Sequence, residues 1–175
     1  MQITEKQAIA ILKKHSPTER VFKIILAHSK AVQKKALSIA KKVPKIDLHL
    51  IKIGSLLHDT GRTKFTLGEF SIKHGIEGAK ILRKEKLPKC ARIAERHIGV
   101  GIRKQDIKKQ ALPLPLKDYI PKTREEKIIA HADNLIFGTK PGTLNKVITR
   151  FRKELGESYV KRIKKLANEI KSWEK

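Results

Sequence analysis

Apolar residues recur along this chain at three- and four-residue steps, and no stretch alternates apolar with polar positions over a strand's length, so the pattern predicts helices throughout. Thr4 is placed to cap a first helix that runs to about His15. The Ser16-Pro17-Thr18-Glu19 segment restarts a long helix that reaches about Val43, where Pro44 stops it. Asp47 is placed to cap a third, closed by Thr60-Gly61. Its Leu48, Ile51, Ile53, Leu56 and Leu57 are apolar on more than one face, which predicts a central, buried helix. A polar loop over about 62–70 leads to a helix over about 71–86, and Pro88 opens another that reaches His97.

Between residues 98 and 122 the periodicity fails. Gly99, Gly101, Pro113, Pro115 and Pro121 leave room for one short helix near 106–110, and the Leu-Pro-Leu-Pro-Leu run is expected to be extended. Long irregular segments of this kind often cover binding sites. Thr123 and Glu126 have the spacing of a capping box for a helix that ends at Gly138, followed by a turn at Thr139-Lys140-Pro141-Gly142. Two amphipathic helices remain. One carries its stripe at Leu144, Val147, Ile148, Phe151 and Leu155, the other at Tyr159, Ile163, Leu166, Ala167, Ile170 and Trp173. The expected fold is all-α, a helical bundle in one domain spanning 1–175, with a core over about 18–138 and a basic C-terminal extension over about 143–173.

Composition narrows the chemistry. The 175 residues include one cysteine, Cys90, so an intrachain disulfide and a multi-thiolate zinc site are excluded; a metal would sit on His and carboxylate. No run approaches the roughly 20 apolar residues of a membrane span. The segment after Met1 lacks the features of an export signal, so a soluble, cytoplasmic protein is expected. There are 41 basic and 17 acidic residues, a net charge of +24. The excess is spread evenly, which fits polyanionic partners as well as the Lys-rich surface of a thermophile-like protein.

Seven histidines divide by position. His28 shares the face of Val21, Ile24, Ile25, Ala31 and Val32. His58 and Asp59 close the hydrophobic third helix. His97 follows Cys90, Ile93 and Ala94 at helical steps, and Asp133 lies between Ile129 and Ile136 on a buried stripe. His74, beside Gly75 and Gly78, is a further ligand candidate, whereas His15, His49 and His131 sit in less committed positions. A carboxylate in apolar surroundings costs several kcal/mol unless a cation or dense hydrogen bonding compensates it, so Asp59 and Asp133 demand a partner. Imidazole and carboxylate from separate helices suit Fe, Mn, Ni, Co or Zn in a bundle core.

His28, then His58-Asp59 after an apolar helix, then Asp133 form an H…HD…D pattern that resembles the HD-domain superfamily of metal-dependent phosphohydrolases. His58-Asp59-Thr60-Gly61-Arg62 is similar to the family's His-Asp-Ile-Gly-Lys form. His74 in His-Gly-Ile-Glu-Gly-Ala and His97 in Glu-Arg-His-Ile-Gly resemble the two extra histidines of its binuclear subgroups, with the diadenosine-tetraphosphate hydrolase type nearest. The resemblance implies one or two divalent transition-metal ions, the first on His28, His58, Asp59 and Asp133, the second bridged by Asp59 to His74 and His97. It implies hydrolysis of a phosphate ester or anhydride in a nucleotide or related small phosphorylated substrate by hydroxide from metal-bound water. Asp59 and Arg62 then belong to the catalytic set, and Arg62, Lys64, Lys73 and Arg96 are the cationic candidates for substrate phosphate. The alternative is a basic nucleic-acid-binding protein with a structural or vestigial metal site. The two readings merge if the substrate is a phosphorylated RNA end.

Overall fold

The computed structural model describes residues 3–66 and 71–174. Among them, nine α-helices follow in order: α1 (Glu5–His15), α2 (Glu19–Ala40), α3 (Leu48–Leu57), α4 (His74–Lys84), α5 (Pro88–Arg96), α6 (Lys104–Gln110), α7 (Arg124–Asn134), α8 (Leu144–Leu155) and α9 (Glu157–Lys171). A 3-10 turn spans Thr60–Lys64, and a small hairpin pairs β1 (Ile136–Phe137) with β2 (Lys140–Pro141). No helix among the described residues is long and apolar enough to cross a membrane.

Local sequence explains where most helices start. Thr4 and Gln7 cap each other reciprocally, Thr18 accepts from Val21 N–H, and Asp47 accepts from Leu50 N–H at 2.8 Å. Several boundaries differ from the periodicity. The long α2 stops at Ala40, because Lys42 and Val43 bond to Ile39 and Ala40 carbonyls in tightened turns ahead of Pro44. The third helix ends at Leu57, so His58 and Asp59 lie in the bend before the 3-10 turn, which replaces the start of the expected loop. The rest of that loop, 67–70, lies outside the described residues. Helix α4 begins at His74 rather than 71 and gives way to a turn in which Lys86 takes φ 59°.

Two expectations around α7 are corrected. Thr123 does cap Glu126 N–H, but the Glu126 side chain reaches Lys122 N–H at 2.7 Å and Arg96 instead of closing a box. The helix ends at Asn134, not Gly138. Gly138, at φ 64°, supplies the hairpin turn that helical periodicity does not announce. The Leu-Pro run is bent, with Leu114 N–H reaching Leu112 O and Lys117 N–H reaching Pro115 O. An isolated bridge between Ile102 and Tyr119 ties the two ends of this irregular segment together.

Helix α3 lies between two apolar clusters, which is why its sequence is apolar on more than one face. Ile51 belongs to one cluster with Val32, Ile129, Val147, Phe151 and Ile163, so α8 and α9 share one core with α2, α3 and α7. Ile53, Leu56 and Leu57 pack on the other side with Ala8, Ala79, Leu82 and Ala91 from α1, α4 and α5. Full burial of each such Ile or Leu is worth about 1.5–3 kcal/mol relative to exposure. That packing holds the C-terminal end of α3, and with it His58 and Asp59, at the centre of the molecule.

Candidate metal centre

Five elements deliver six side chains to one point. His28 comes from the middle of α2, His58 and Asp59 from the bend after α3, His74 from the first residue of α4, His97 from the C-terminal cap of α5, and Asp133 from the last turn of α7. His58, Asp59, His74 and His97 are buried; His28 and Asp133 are partly open to an adjoining cavity of about 670 Å³.

The 3-10 turn and α4 meet through glycines. A Cβ on Gly61 would overlap His74 O and the Gly78 amide nitrogen, so only glycine lets the backbones approach this closely. The contact sets His74 against Asp59. Thr60 and Thr63 donate their hydroxyls to Leu57 O and Thr60 O, each at 2.8 Å, and fasten the bend.

Each histidine is oriented by the backbone. The Nδ1–H groups of His58, His74 and His97 donate to the carbonyls of Ser55, Ser71 and Ala94 at 2.7, 2.7 and 2.8 Å, each three residues back, and His28 Nδ1–H donates to Gly138 O at 2.6 Å. A carbonyl only accepts, so Nδ1 carries the proton and, in the neutral ring, Nε2 presents a lone pair. The four Nε2 atoms point inward. His28 Nε2 lies 3.0 Å from Asp133 Oδ1 and 3.6 Å from Asp59 Oδ2; His58 Nε2 lies 3.5 Å from Asp133 Oδ1 and 3.8 Å from Asp59 Oδ2. On the other side of the carboxylate, His74 and His97 Nε2 are each 3.4 Å from Asp59 Oδ1 and 3.1 Å from one another.

This arrangement leaves polar atoms unsatisfied among the described residues. His58 Nε2 and Asp59 Oδ1 are buried without a hydrogen-bond partner there, and His74 Nε2 and His97 Nε2 approach each other. Such groups are costly unless something electropositive sits between them. The sets His28–His58–Asp133 and His58–Asp59–His97 each bring their ligand atoms within 4.8 Å of one another, so the residues fit a metal ion. Nδ1 hydrogen bonding of the ligating ring is the usual support for such a ligand.

Protonation follows from the same geometry. Burial opposes charge on His28, but the hydrogen bond and charge of Asp133, with Asp59 behind it, raise its pKa to about 9. Burial and the neighbouring His97 and Arg62 outweigh Asp59 and lower His74 to about 4. Burial would raise both carboxyls. The neighbouring imidazoles of His58 and His97 and the Arg62 guanidinium overcome it for Asp59, and the His28 hydrogen bond and the His58 imidazole for Asp133, holding both ionised well below the usual range.

The cationic candidates separate. Arg62 lines the cavity and donates Nε–H to Asp59 Oδ2 at 2.6 Å. Arg96 instead forks onto Glu126 at 3.0 and 3.1 Å, the partner its sequence position does not reveal. Lys64 and Lys73 are exposed and do not line the cavity. Arg150, absent from the candidates read in the sequence, does line it, as do Asn134, Phe137 and Tyr159. Of the other histidines, His15 pairs with Glu85 at 2.7 Å and His131 is buried on α7.

The HD domain family pattern matches residues 25–138, and the chain belongs to that family. HD domains bind divalent metals, and the His/Asp groups here are of the kind that can hold one. The match establishes the family and not a subgroup within it. An uncharacterized protein of Methanocaldococcus jannaschii is 46% identical over 168 residues, covering 94% of this chain and 95% of its own. The tRNA (cytidine(56)-2'-O)-methyltransferases of Picrophilus torridus and Thermoplasma volcanium are 40% and 42% identical over 96% and 81% of this chain. The chain spans only 46% and 40% of their lengths. Among solved structures, the HD domain of the L. monocytogenes phosphodiesterase PgpH, alone and with cyclic-di-AMP, has a TM-score of 0.53 at 19% identity over 91% of this chain and 94% or 92% of that one. That likeness is one of fold.

Proposed function

We propose that this protein is a metal-dependent phosphohydrolase acting on a nucleotide or related phosphorylated substrate. The observation that carries this reading is the convergence of four backbone-oriented Nε2 atoms on two carboxylates, with His58 Nε2 and Asp59 Oδ1 left without hydrogen-bond partners among the described residues. The split of Asp59 supports two ions of the Fe, Mn, Ni, Co or Zn kind. Oδ2 faces His28 and His58, with Asp133 beside them, while Oδ1 faces His74 and His97. A divalent ion held there would supply Lewis acidity and lower the pKa of bound water toward about 7.

The chain's own residues do the rest. Nδ1 hydrogen bonds keep each imidazole in one tautomer and one orientation, so the site needs little reorganisation when substrate arrives. Arg62 holds Asp59 in place and presents its guanidinium to the cavity, where it offsets the negative charge that grows on phosphoryl oxygens during displacement. The cavity of about 670 Å³ exceeds what a phosphate group fills and accommodates an organic part of nucleotide size. The cyclic dinucleotide on the PgpH HD domain supports the same substrate class. Diadenosine polyphosphates belong in the same panel.

A second reading is favoured by the relatives named as tRNA methyltransferases. Their similarity, with the net charge of +24, supports phosphorylated RNA as substrate or partner. Methyl transfer itself we place outside this chain, which spans under half of those proteins and gathers a metal-type donor set. Elemental analysis tests the primary reading, with one to two metal equivalents expected. His58→Ala and Asp59→Ala should each remove metal and lower hydrolysis of a nucleotide panel by about 1000-fold or more. Salt-sensitive RNA affinity that survives both substitutions, in a wild-type protein that hydrolyses nothing, overturns it.

A further inference from the structure

The geometry points to Arg150 as a substrate-anion-binding residue contributed by α8, outside the segment that matches the HD family. Three observations converge on it. Its guanidinium carbon lies 5.0 Å from the Phe137 ring centroid and 5.4 Å from that of Phe151, and Nη2 reaches Asn134 Oδ1 at 3.4 Å, long for a hydrogen bond. Asn134 is itself fixed by donating to Gly99 O at 2.6 Å and Ala130 O at 2.8 Å, so the oxygen that steers Arg150 is immobile and adjoins Asp133.

The second observation is electrostatic. Arg62, Arg83, Arg96 and Arg162 each have a carboxylate at 3.0 Å or closer, whereas no carboxylate among the described residues lies within ion-pair distance of Arg150. Glu154, one turn further along α8, lines the cavity without reaching it. The third is location: Arg150 shares the cavity with Asp59, His28 and Asp133. A stacked, oriented guanidinium without a carboxylate partner among the described residues, in a cavity that also holds a metal-type donor set, suits the oxygens of a phosphate. Resting on the phosphohydrolase reading, this assigns the substrate a phosphate group within reach of α8 and an organic part that fills the apolar remainder of the cavity.

The test uses the full chain loaded with Mn²⁺ and inorganic phosphate as the probe, with affinity measured by titration calorimetry. Arg150→Met is expected to weaken phosphate binding by about 10- to 100-fold and to raise KM for nucleotide hydrolysis, while manganese content stays unchanged. Arg150→Lys, which keeps charge without the planar fork, should recover part of the loss. Should Arg150→Met melt early, Arg150→Gln replaces it, and loss of fold in both marks a structural residue and overturns the proposal. Unchanged phosphate affinity and KM also overturn it and leave hydrolysis standing. Arg150-dependent phosphate binding in a protein that hydrolyses nothing overturns the hydrolase reading and leaves the anion site standing.

Discussion

The two sides of the cavity are built on different principles. On the α3–α5 side every imidazole is held by a main-chain carbonyl, and the backbones touch at Gly61. On the α6–α9 side the wall is joined by side chains. Arg162 binds Asp106 and the Gly101 carbonyl, Gln110 donates to Tyr159, and Arg150 stacks on two phenylalanines. Apolar Ile24 and Leu155, 47% and 39% exposed, sit at the opening. The first construction fixes the imidazole nitrogens to within a hydrogen bond and should tolerate little change; the second fixes shape and should tolerate more. On the proposed function, reaction chemistry falls to the rigid side and substrate choice to the adaptable one, so substitutions on the two sides should separate metal content from KM.

The sharpest break on the rigid side avoids every ligand. Gly61→Ala places a methyl group into His74 O and the Gly78 amide, both backbone, so the 3-10 turn and α4 must part. We expect a loss of about 3 kcal/mol or more in unfolding free energy, and metal affinity lower by at least about 10-fold as His74 withdraws from Asp59. Denaturant melts and metal titration check this. A Gly61→Ala protein with wild-type metal affinity would mean that the close approach has no part in setting the site.

The rigid side was legible in the sequence because its signals are local. The inward stripe placed His28, the apolar third helix delivered His58 and Asp59, and three- and four-residue steps from Cys90 aimed His97. Helix starts were legible for the same reason, since Thr4, Thr18 and Asp47 act within three residues of themselves. What periodicity missed depends on partners far along the chain. Glu126 has the spacing of a capping box, but Arg96, 30 residues away, takes its carboxylate. Arg150 is one cation among several on a basic helix, and nothing in its own sequence neighbourhood singles it out. Only the hairpin that carries Phe137, and Asn134 16 residues back, turn it toward the cavity. Pairing within β1 and β2 is two residues per strand, too short for alternation to register.

On the adaptable side, Leu155→Asp should act as the mirror image of Gly61→Ala. Leu155 is 39% exposed and ends α8, so the fold has little to lose. A carboxylate at that rim removes apolar contact with the organic part of a substrate and repels its phosphate. KM for nucleotides should rise by roughly 10-fold, with manganese content unchanged and a small aryl phosphate, too short to reach the rim, affected less. Equal effects on the long and short substrates would place the organic part elsewhere in the cavity.

The smallest effect concerns what holds that wall upright. Asp106 accepts from Arg103 N–H and Arg162 Nη1, each at 2.8 Å, and so couples the 98–122 segment to α9. Burial alone would raise its pKa, but these hydrogen bonds and the charge of Arg162 lower it. A carboxyl lowered in the folded state stabilises the protein fully above its unfolded value, about 3.9, and loses that contribution as pH falls through the lower folded value. Asp106→Asn should therefore cost about 1 kcal/mol or less at pH 7, and the gap from wild type should close as pH drops below about 4. Thermal melts of both proteins in chelator keep metal release, which is also acid-driven, out of the comparison. Because the pair touches neither Asp59 nor any imidazole, metal affinity at pH 7 should match wild type; a drop there would mean that the adaptable wall helps to hold the ligands, and the division between the two sides would fail.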